Sequence, residues 1–491
     1  MVVMGIMPVR RFSPIWASMK VRDYHTDRSN DQGARRQGTI RLEAGLTVEL
    51  EQFLGVSRDG SRATLNARAA AVASAARARG WATLEVDHRA AWAALWRGTI
   101  TVDGDSRLHD QAQSDLFHLY QNMPVDPRWP GQITGLASPG YYAGTFWDVD
   151  LWVAPAVMPF CNHFAEGTAR FRQRGLAEAM RRAYREGRPG AKYPMVACPL
   201  TGDENDHHGA ISEREIHVVA DVAIGQWWWC SNGDLTVLRA EVFPVLRGCA
   251  DYICARAVWK PWKNRYDVLD VVCAEEGLGQ VSNCLFTNAA FRRALLIAIE
   301  AANLIGLAPD PLWAQVAERM HLPKHERTGL WQAHEGIDHP SEFGFVESLA
   351  HVIAELEGTP AQLAAAAAAK PLTWDMSYQA TVAAMAGDAV AMRRHLDQEL
   401  AQFPDLIFSQ RTEFKGNDAG PYLTGCGALL NNLLFGAAGL RWRANGLAPI
   451  HAPCLPEGVT RITWPRLEWQ GRTHAVTVDA GGLRISDTGP S

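Results

Sequence analysis

The chain has 491 residues, enough for two to four domains or one large domain with attachments. Apolar residues make up 47% and charged residues 21%, with a formal net charge of -5. That is an ordinary globular balance, and it gives no basis for nucleic acid or an acidic membrane surface as a partner. No window holds the roughly 18 uninterrupted apolar residues that a spanning helix needs. The opening MVVMGIMPVRRFSPIW lacks the order of basic region, apolar core and small-residue cleavage site of a secretory leader. Nine cysteines, an odd number with no Cys-x-x-Cys pair, predict buried free thiols in a reducing, cytoplasmic compartment. The 18 tryptophans outnumber the 10 tyrosines, which suits sugar-stacking clefts and large helical cores alike.

Residues 1–65 read as strands and turns: GTIRLEAGLTVELEQFLGVSRDG alternates apolar and polar residues and is broken by Gly and Asp. From 66 to 106 the chain turns alanine-rich with helical spacing and reads as linker helices. From 107 to 440 the pattern stays helical, with starts near Leu108, Asn162, Arg214, Leu235, Asn283, Asp310, Ser341, Thr373, Ala389 and Tyr422. So many amphipathic helices without repeat identity predict an all-helical toroid of paired inner and outer helices. AQLAAAAAAK (361–370) is a strong helix former with no functional signal. From 441 to 491 short strands return in VTRITW, RTHAVTV and GLRIS. The order is a β piece, a helical body and a second β piece.

Three stretches carry candidate chemistry. VVCAEEGLGQVSNCLFTN (271–288) places Glu275 and Glu276 between an apolar run and a glycine turn that leads into a helix. A half-buried carboxyl there would be raised in pKa and suited to general acid work; two solvated loop acids are the plainer alternative. GYYAGTFWDVDLWVAPA (140–156) sets Phe146, Trp147, Asp148 and Asp150 at a loop-to-helix junction. An aromatic ring can stack on a sugar face while the acid accepts from its hydroxyls, or Trp147 can be core and Asp148 an N-cap. SQRTEFKGNDAGPYLTGCGALLNNLLFG (409–436) repeats the arrangement, with Glu413 in a loop before an apolar helix. Two such acids across a central cavity, about 6.5–9.5 Å apart, would leave room for the water of an inverting glycosidase. TGDENDHHGAISEREIH (201–217) is rich in Asp203, Glu204, Asp206, His207, His208, Glu215 and His217. It lacks the His-x3-His spacing of a helical metal site and reads as a solvated loop, with His217 facing inward. No metal or cofactor is expected, and there is no G-x-S-x-G, Walker A or Rossmann glycine fingerprint.

In these segments, taken in order from about residue 35 to the C-terminus, the chain resembles glycoside hydrolase family 65. That family holds the kojibiose and maltose phosphorylases, the acid trehalases and the glucosylgalactosyl-hydroxylysine glucosidases. FWDVD (146–150) is similar to the family's Phe-Trp-Asp-Thr-Glu. GAKYP (190–194), TGDE (201–204) and EIHVVADVA (215–223) follow in the family's order, as do KPLTWDMSYQA (370–380) and PYLTGCGALLNNLLFGAAGLR (421–441). VVCAEEGLGQVSNCLFTN is similar to the family's Val-x-Gly-Pro-Asp-Glu-Tyr-His and the Asn-Asn and Tyr-Thr-Asn after it. The resemblance implies a mainly α fold: an (α/α)6 barrel (107–440), a shortened N-terminal β-sandwich piece (1–65), linker helices (66–106) and a small C-terminal β domain (441–491). It implies Glu276 as general acid with Glu275 beside it. Arg411-Thr412-Glu413 takes the place of the hydrolases' Trp-Thr-Glu, which implies Glu413 as general base and favours hydrolysis over phosphorolysis. Phe146, Trp147, Asp148, Tyr193, Met195, Val196, Glu275, Leu278 and Arg411 are implied substrate contacts.

The departures bear on the substrate. The family's Phe-Pro-Trp-Glu-Ser loop is Tyr193-Pro194-Met195-Val196 here, its Tyr-His after the acid is Gly277-Leu278, and its His before Phe-Trp-Asp is Gly144. The family's Lys-Gln pair has no match in FGFVESLAHVIAEL. Lost hydrogen bonds would weaken glucose binding. Two functions are therefore carried forward. One is an inverting α-glycoside hydrolase acting on an unusual or decorated substrate. The other is a repurposed scaffold doing acid/base cyclisation, isomerisation or dehydration on an apolar metabolite in a biosynthetic pathway. A small-molecule substrate is the expected partner, with a homodimer allowed.

Overall fold

The computed structural model describes residues 51–57, 61–135, 141, 144–205, 209–231, 235–337, 344–369, 377–401, 409–413 and 420–490. The chain divides into two units between Trp96 and Arg97. In the first, helices Arg62–Arg79 and Trp81–Trp96 are separated by Gly80, whose φ of 76° stops the first helix. Ser61 caps the first helix by accepting from the Thr64 backbone N–H. They fall largely within the stretch that reads as linker helices in the sequence. The expected β piece at 1–65 falls mostly outside the described residues, and residues 51–57 form no strand.

The second unit is built on two kinds of helix. Helices Val218–Cys230, Gly344–Val352, Gln379–Met385 and Leu423–Asn431 are apolar around nearly their whole circumference, and almost every residue in them is buried. Such helices can lie only inside a larger body. Together with the Val149–Val157 and Leu285–Leu304 segments they close a ring. Each packs on the next in chain order, and the last, extended through Leu433–Ala437, packs back on the first. Outside lie Ser106–Asn122, Asn162–Arg174, Phe243–Arg256, Pro311–Arg319, Pro360–Ala368 and Ala389–Ala401, each seated on the ring. Inner and outer helices alternate along the chain, so the inner six run in the same direction. This is the (α/α)6 barrel that the helical pattern and the family resemblance led us to expect.

Two devices let the inner ring close. A Cβ at position 427 would lie 2.4 Å from the Trp152 carbonyl oxygen, so Gly427 is what allows helix Leu423–Asn431 to approach the Val149–Val153 turn. That turn is a π-helix, and its carbonyls are taken up by neighbours: Tyr378 donates to Leu151 O at 3.0 Å and Asn431 to Trp152 O at 3.0 Å. Asp150 inside the same turn is fully buried against Arg172 of the outer helix Asn162–Arg174, with Arg172 Nη2 2.6 Å from Asp150 Oδ2. The same guanidinium donates to Phe146 O at 3.1 Å.

Strands Arg461–Trp469, Arg472–Asp479 and Gly482–Pro490 form the C-terminal sheet. Thr101–Asp103 joins it as an antiparallel edge, with Val102 opposite Ile462. The C-terminal β piece thus takes a strand from just ahead of the barrel. Among the described residues, no helix is long and apolar enough to cross a membrane.

The Arg172–Asp150 pair yields a stability prediction. Arg172→Ala leaves a buried carboxylate without its cation and should cost about 3–5 kcal/mol in urea denaturation. The double variant Arg172→Met/Asp150→Ala should lose less than the two single variants combined. A loss under about 1 kcal/mol in Arg172→Ala would show that the pair does not hold the turn.

Candidate active site

Because the inner helices are parallel, the loops that enter them gather at one rim. Most of the described residues singled out from the sequence sit in such entries. Phe146, Trp147 and Asp148 precede the first inner segment, and Glu215 and His217 the second. Glu275, Glu276 and Leu278 precede the third, and Arg411 and Glu413 the sixth. Tyr193, Met195 and Val196 are brought in by strand pairing: Val196 lies opposite Phe146, and Ala197 opposite Thr145.

Asp148 is 5% exposed and accepts from Thr424 Oγ1 at 3.0 Å, at the start of the neighbouring sixth inner helix. Burial, with the charges of Glu276 and Asp221 nearby, pushes its pKa up to about 7. Trp147 turns edge-on to His217, with ring centroids 4.7 Å apart, and also packs on Trp152 and Phe286. Trp147 is core, whereas Asp148 is a buried acid whose side chain caps no helix, so the plainer alternative holds for the ring and not for the acid.

Behind them lies a group of three that the sequence only hinted at. His217 is fully buried between Asp221 Oδ2, 2.6 Å from Nδ1, and Glu215 Oε1, 3.0 Å from Nε2. With a carboxylate at each nitrogen, the imidazolium can donate to both. Burial opposes its charge, but Asp221 and Glu215 outweigh that and raise its pKa to about 10. Burial also raises Glu215 to about 7 against the pull of His217, with Glu276 and Asp148 adding to the rise. Asp221 rises to about 6 for the same first reason. The His-x3-Asp spacing from 217 to 221 was a readable signal, since i and i+4 share a helix face.

Glu275 and Glu276, adjacent in sequence, have separate surroundings. Glu275 folds back on its own turn: the Gly277 backbone N–H donates to it, and its Oε1 lies 3.0 Å from where a Cβ on Gly277 would be. Burial raises its pKa. Glu276 is half-buried in the short Glu276–Leu278 turn, and its charge acts on both Asp148 and Glu215. Of the two, Glu276 is the acid that faces the buried cluster. Their loop is closed by a disulfide between Cys273 and Cys284, with Cα atoms 5.9 Å apart. This corrects the expectation of free thiols throughout. The Val271–Val272 and Gln280–Val281 pairing brings the two cysteines together, which an eleven-residue spacing does not announce.

On the opposite side, Glu413 is half-buried and accepts from the Tyr141 hydroxyl, whose ring stands edge-on to Phe146. Arg411 does not reach toward the rim: it is fully buried with its Nε 2.8 and 2.9 Å from the two Asp115 oxygens. Tyr193 is buried and donates to Arg172 O at 2.8 Å. Met195 and Val196 are buried in the wall, Met195 beside Ser212. Val196 Cγ1 lies 2.4 Å from where a Cβ on Gly144 would be, so Val196 fills the space of a side chain at 144. The two departures from the family pattern are thus one packing exchange. Leu278 keeps partial exposure. Glu204 is drawn off by Arg182 at 2.9 Å, and residues 206–208 lie outside the described residues.

The buried acids set a pH dependence of stability. Asp148, Glu215 and Asp221 hold their protons to higher pH in the folded chain than in the unfolded one, where carboxyls release them near pH 4. The folded state therefore binds more protons between about pH 4 and 7, and these groups remove stability as pH rises through that window. His217 favours folding at low pH, and its contribution is lost as pH climbs from about 6.5 toward 10. Asp148→Asn should accordingly gain melting temperature relative to the wild type as pH rises from about 5 to 8 in a thermal scan. A difference that stays constant across that range would contradict the buried charge at 148.

Comparison with known proteins follows from this geometry. Residues 113–382, more than half of the chain, match the glycosyl hydrolase family 65 central catalytic domain. A kojibiose hydrolase of Mucilaginibacter mallensis is 32% identical over 239 residues, covering 48% of this chain and 35% of that protein. A periplasmic acid trehalase of Saccharomyces cerevisiae is 26% identical over 426 residues, covering 76% and 34%. The protein-glucosylgalactosylhydroxylysine glucosidase of Danio rerio is 24% identical over 435 residues, covering 82% and 65%. The chain thus spans about a third of the length of the first two. A solved structure assigned as a kojibiose phosphorylase from the human microbiome shares the fold, with a TM-score of 0.69 at 14% identity over 88% of this chain and 65% of that one. On the ordered motifs, the closed ring of inner helices and the matched catalytic domain, this chain belongs to glycoside hydrolase family 65.

Proposed function

We propose that the chain is an inverting α-glycoside hydrolase in which Glu276 is the general acid and Glu413 the general base. The observation that carries the proposal is the placement of the two acids. They enter the third and the sixth of six inner helices, on opposite sides of one rim. In the proposed reaction Glu276 gives its proton to the glycosidic oxygen as the bond to the anomeric carbon breaks. A water on the far side attacks that carbon and passes a proton to Glu413, inverting the configuration.

Glu413 supports water over phosphate as nucleophile. A carboxylate can take a proton from water, whereas a phosphate dianion beside it would be repelled, and Arg411, two residues before it, is already paired with Asp115. The relatives named for kojibiose, trehalose and glucosyl-galactosyl-hydroxylysine point to an α-linked glucosyl unit as substrate. The apolar-metabolite reading drew on Met195 and Val196 as cavity lining, and their burial in the wall leaves the acids as the chemistry at the rim.

The test is a panel of α-linked glucosides including kojibiose, trehalose and glucosyl-galactose, followed by proton NMR. At least one should be cleaved, with the β-anomer appearing first. Glu276→Gln and Glu413→Gln should each lower kcat by about 10²–10⁴-fold. Inactivity on the whole panel, a retained anomer, or full activity in Glu276→Gln would overturn the proposal.

A further inference from the structure

We propose that Asp115, on the outer helix Ser106–Asn122, is a positioning residue for Glu413 and acts through Arg411. The inference rests on Glu413 being the general base. Residues 409–413 belong to no long helix or strand, so the place of Glu413 must be set by side-chain ties.

Besides the Tyr141 hydroxyl on Glu413 itself, two of those ties run to one outer helix. Arg411 Nε sits 2.8 and 2.9 Å from the two Asp115 oxygens. Gln111, one turn earlier on the same helix, donates its Nε2 to Asp115 Oδ1 at 2.8 Å and to the Ser409 carbonyl at 3.1 Å. One helix face therefore holds the segment at both 409 and 411. From the other side the Tyr422 backbone N–H donates to Arg411 O at 2.9 Å, tying the segment to the start of the sixth inner helix. Gly420 lies close over it: a Cβ there would fall 2.3 Å from Gln410 Nε2 and 3.0 Å from Arg411 O.

Both members of the ion pair are 0% exposed, so neither can touch a substrate. Stability alone does not call for the pair, because apolar residues of similar volume commonly serve as well in a core. A single guanidinium N–H held between both carboxylate oxygens sets the direction of approach as well as the distance, which an apolar contact does not. Glu413 is two residues beyond the clamp, about 7 Å along an extended chain. A loosened clamp would let its carboxylate drift by an ångström or so, and a misplacement of that size can cost about 100-fold in rate.

The test uses the full chain with Asp115→Asn, which keeps shape but weakens the pair, and Arg411→Lys, which keeps charge but loses the planar fork. On the substrate found with the panel, each should lower kcat about 30–100-fold while KM stays within about threefold. Sodium azide should restore turnover in Glu413→Ala, where the repelling carboxylate is gone and an anionic nucleophile needs no base, and not in Asp115→Asn, where the displaced carboxylate remains. Hydrogen exchange should quicken at residues 411–413 and at the Tyr422 amide. Gln111→Leu, which leaves the ion pair intact, should lose about 3–10-fold and serves if Asp115→Asn does not fold. Unchanged kcat, or unchanged exchange at those amides, overturns the clamp. Wild-type turnover in Glu413→Ala would instead overturn the assignment of the base, and a dead Glu413→Ala beside a normal Asp115→Asn would sink the clamp alone.

Discussion

The structure depends on the closure of six inner helices into a ring. Four of them are apolar on nearly all sides and have no face to give to water, so the six pack neighbour to neighbour until the last meets the first. Closure demands close approach, which Gly427 permits against Trp152, and it demands that the π-turn carbonyls of Leu151 and Trp152 find donors in Tyr378 and Asn431. Once the ring is closed and its helices run in parallel, six entering loops share one rim. Chemistry dispersed over about 270 residues of sequence is thereby collected in one place.

What collects there is an excess of buried acid. Asp148, Glu215 and Asp221 lie inside the barrel with His217 as the cation between two of them, and Glu276 stands at their edge. Desolvation raises each of these three carboxyls, while His217 holds its proton because two of them need it. The arrangement keeps protons in the site near neutral pH at a cost in stability, as is common where acid/base chemistry is carried out. On the far side of the rim the surroundings differ: Glu413 is met by the Tyr141 hydroxyl. Two carboxylates in unlike environments are how one site holds an acid and a base together.

The helical body, the linker helices and the C-terminal strands were legible because each has a period of its own, and helix starts at Asn162, Leu235 and Ala389 coincide with the structure. Less legible were features that join distant residues. Thr101–Asp103 becomes an edge of a sheet whose other strands begin at Arg461, and no local pattern in three residues announces that. The Cys273–Cys284 disulfide was missed because a hairpin, not a motif, makes the pair. Arg411 looked like a substrate contact from its place beside Glu413; its partner Asp115 lies 296 residues away.

The sequence by itself determined the fold class, the family resemblance and the residues from which the site is drawn, because apolar periodicity and ordered motifs are local properties of the chain. Only the tertiary structure decided how those residues divide the work. It turned Glu275 back on its own turn and left Glu276 facing Asp148 and Glu215. It sank Met195 and Val196 into the wall against Gly144, and it bound Arg411 to Asp115. The reason is that orientation, burial and charge pairing are set by neighbours distant in sequence, and those neighbours exist only once the ring has closed.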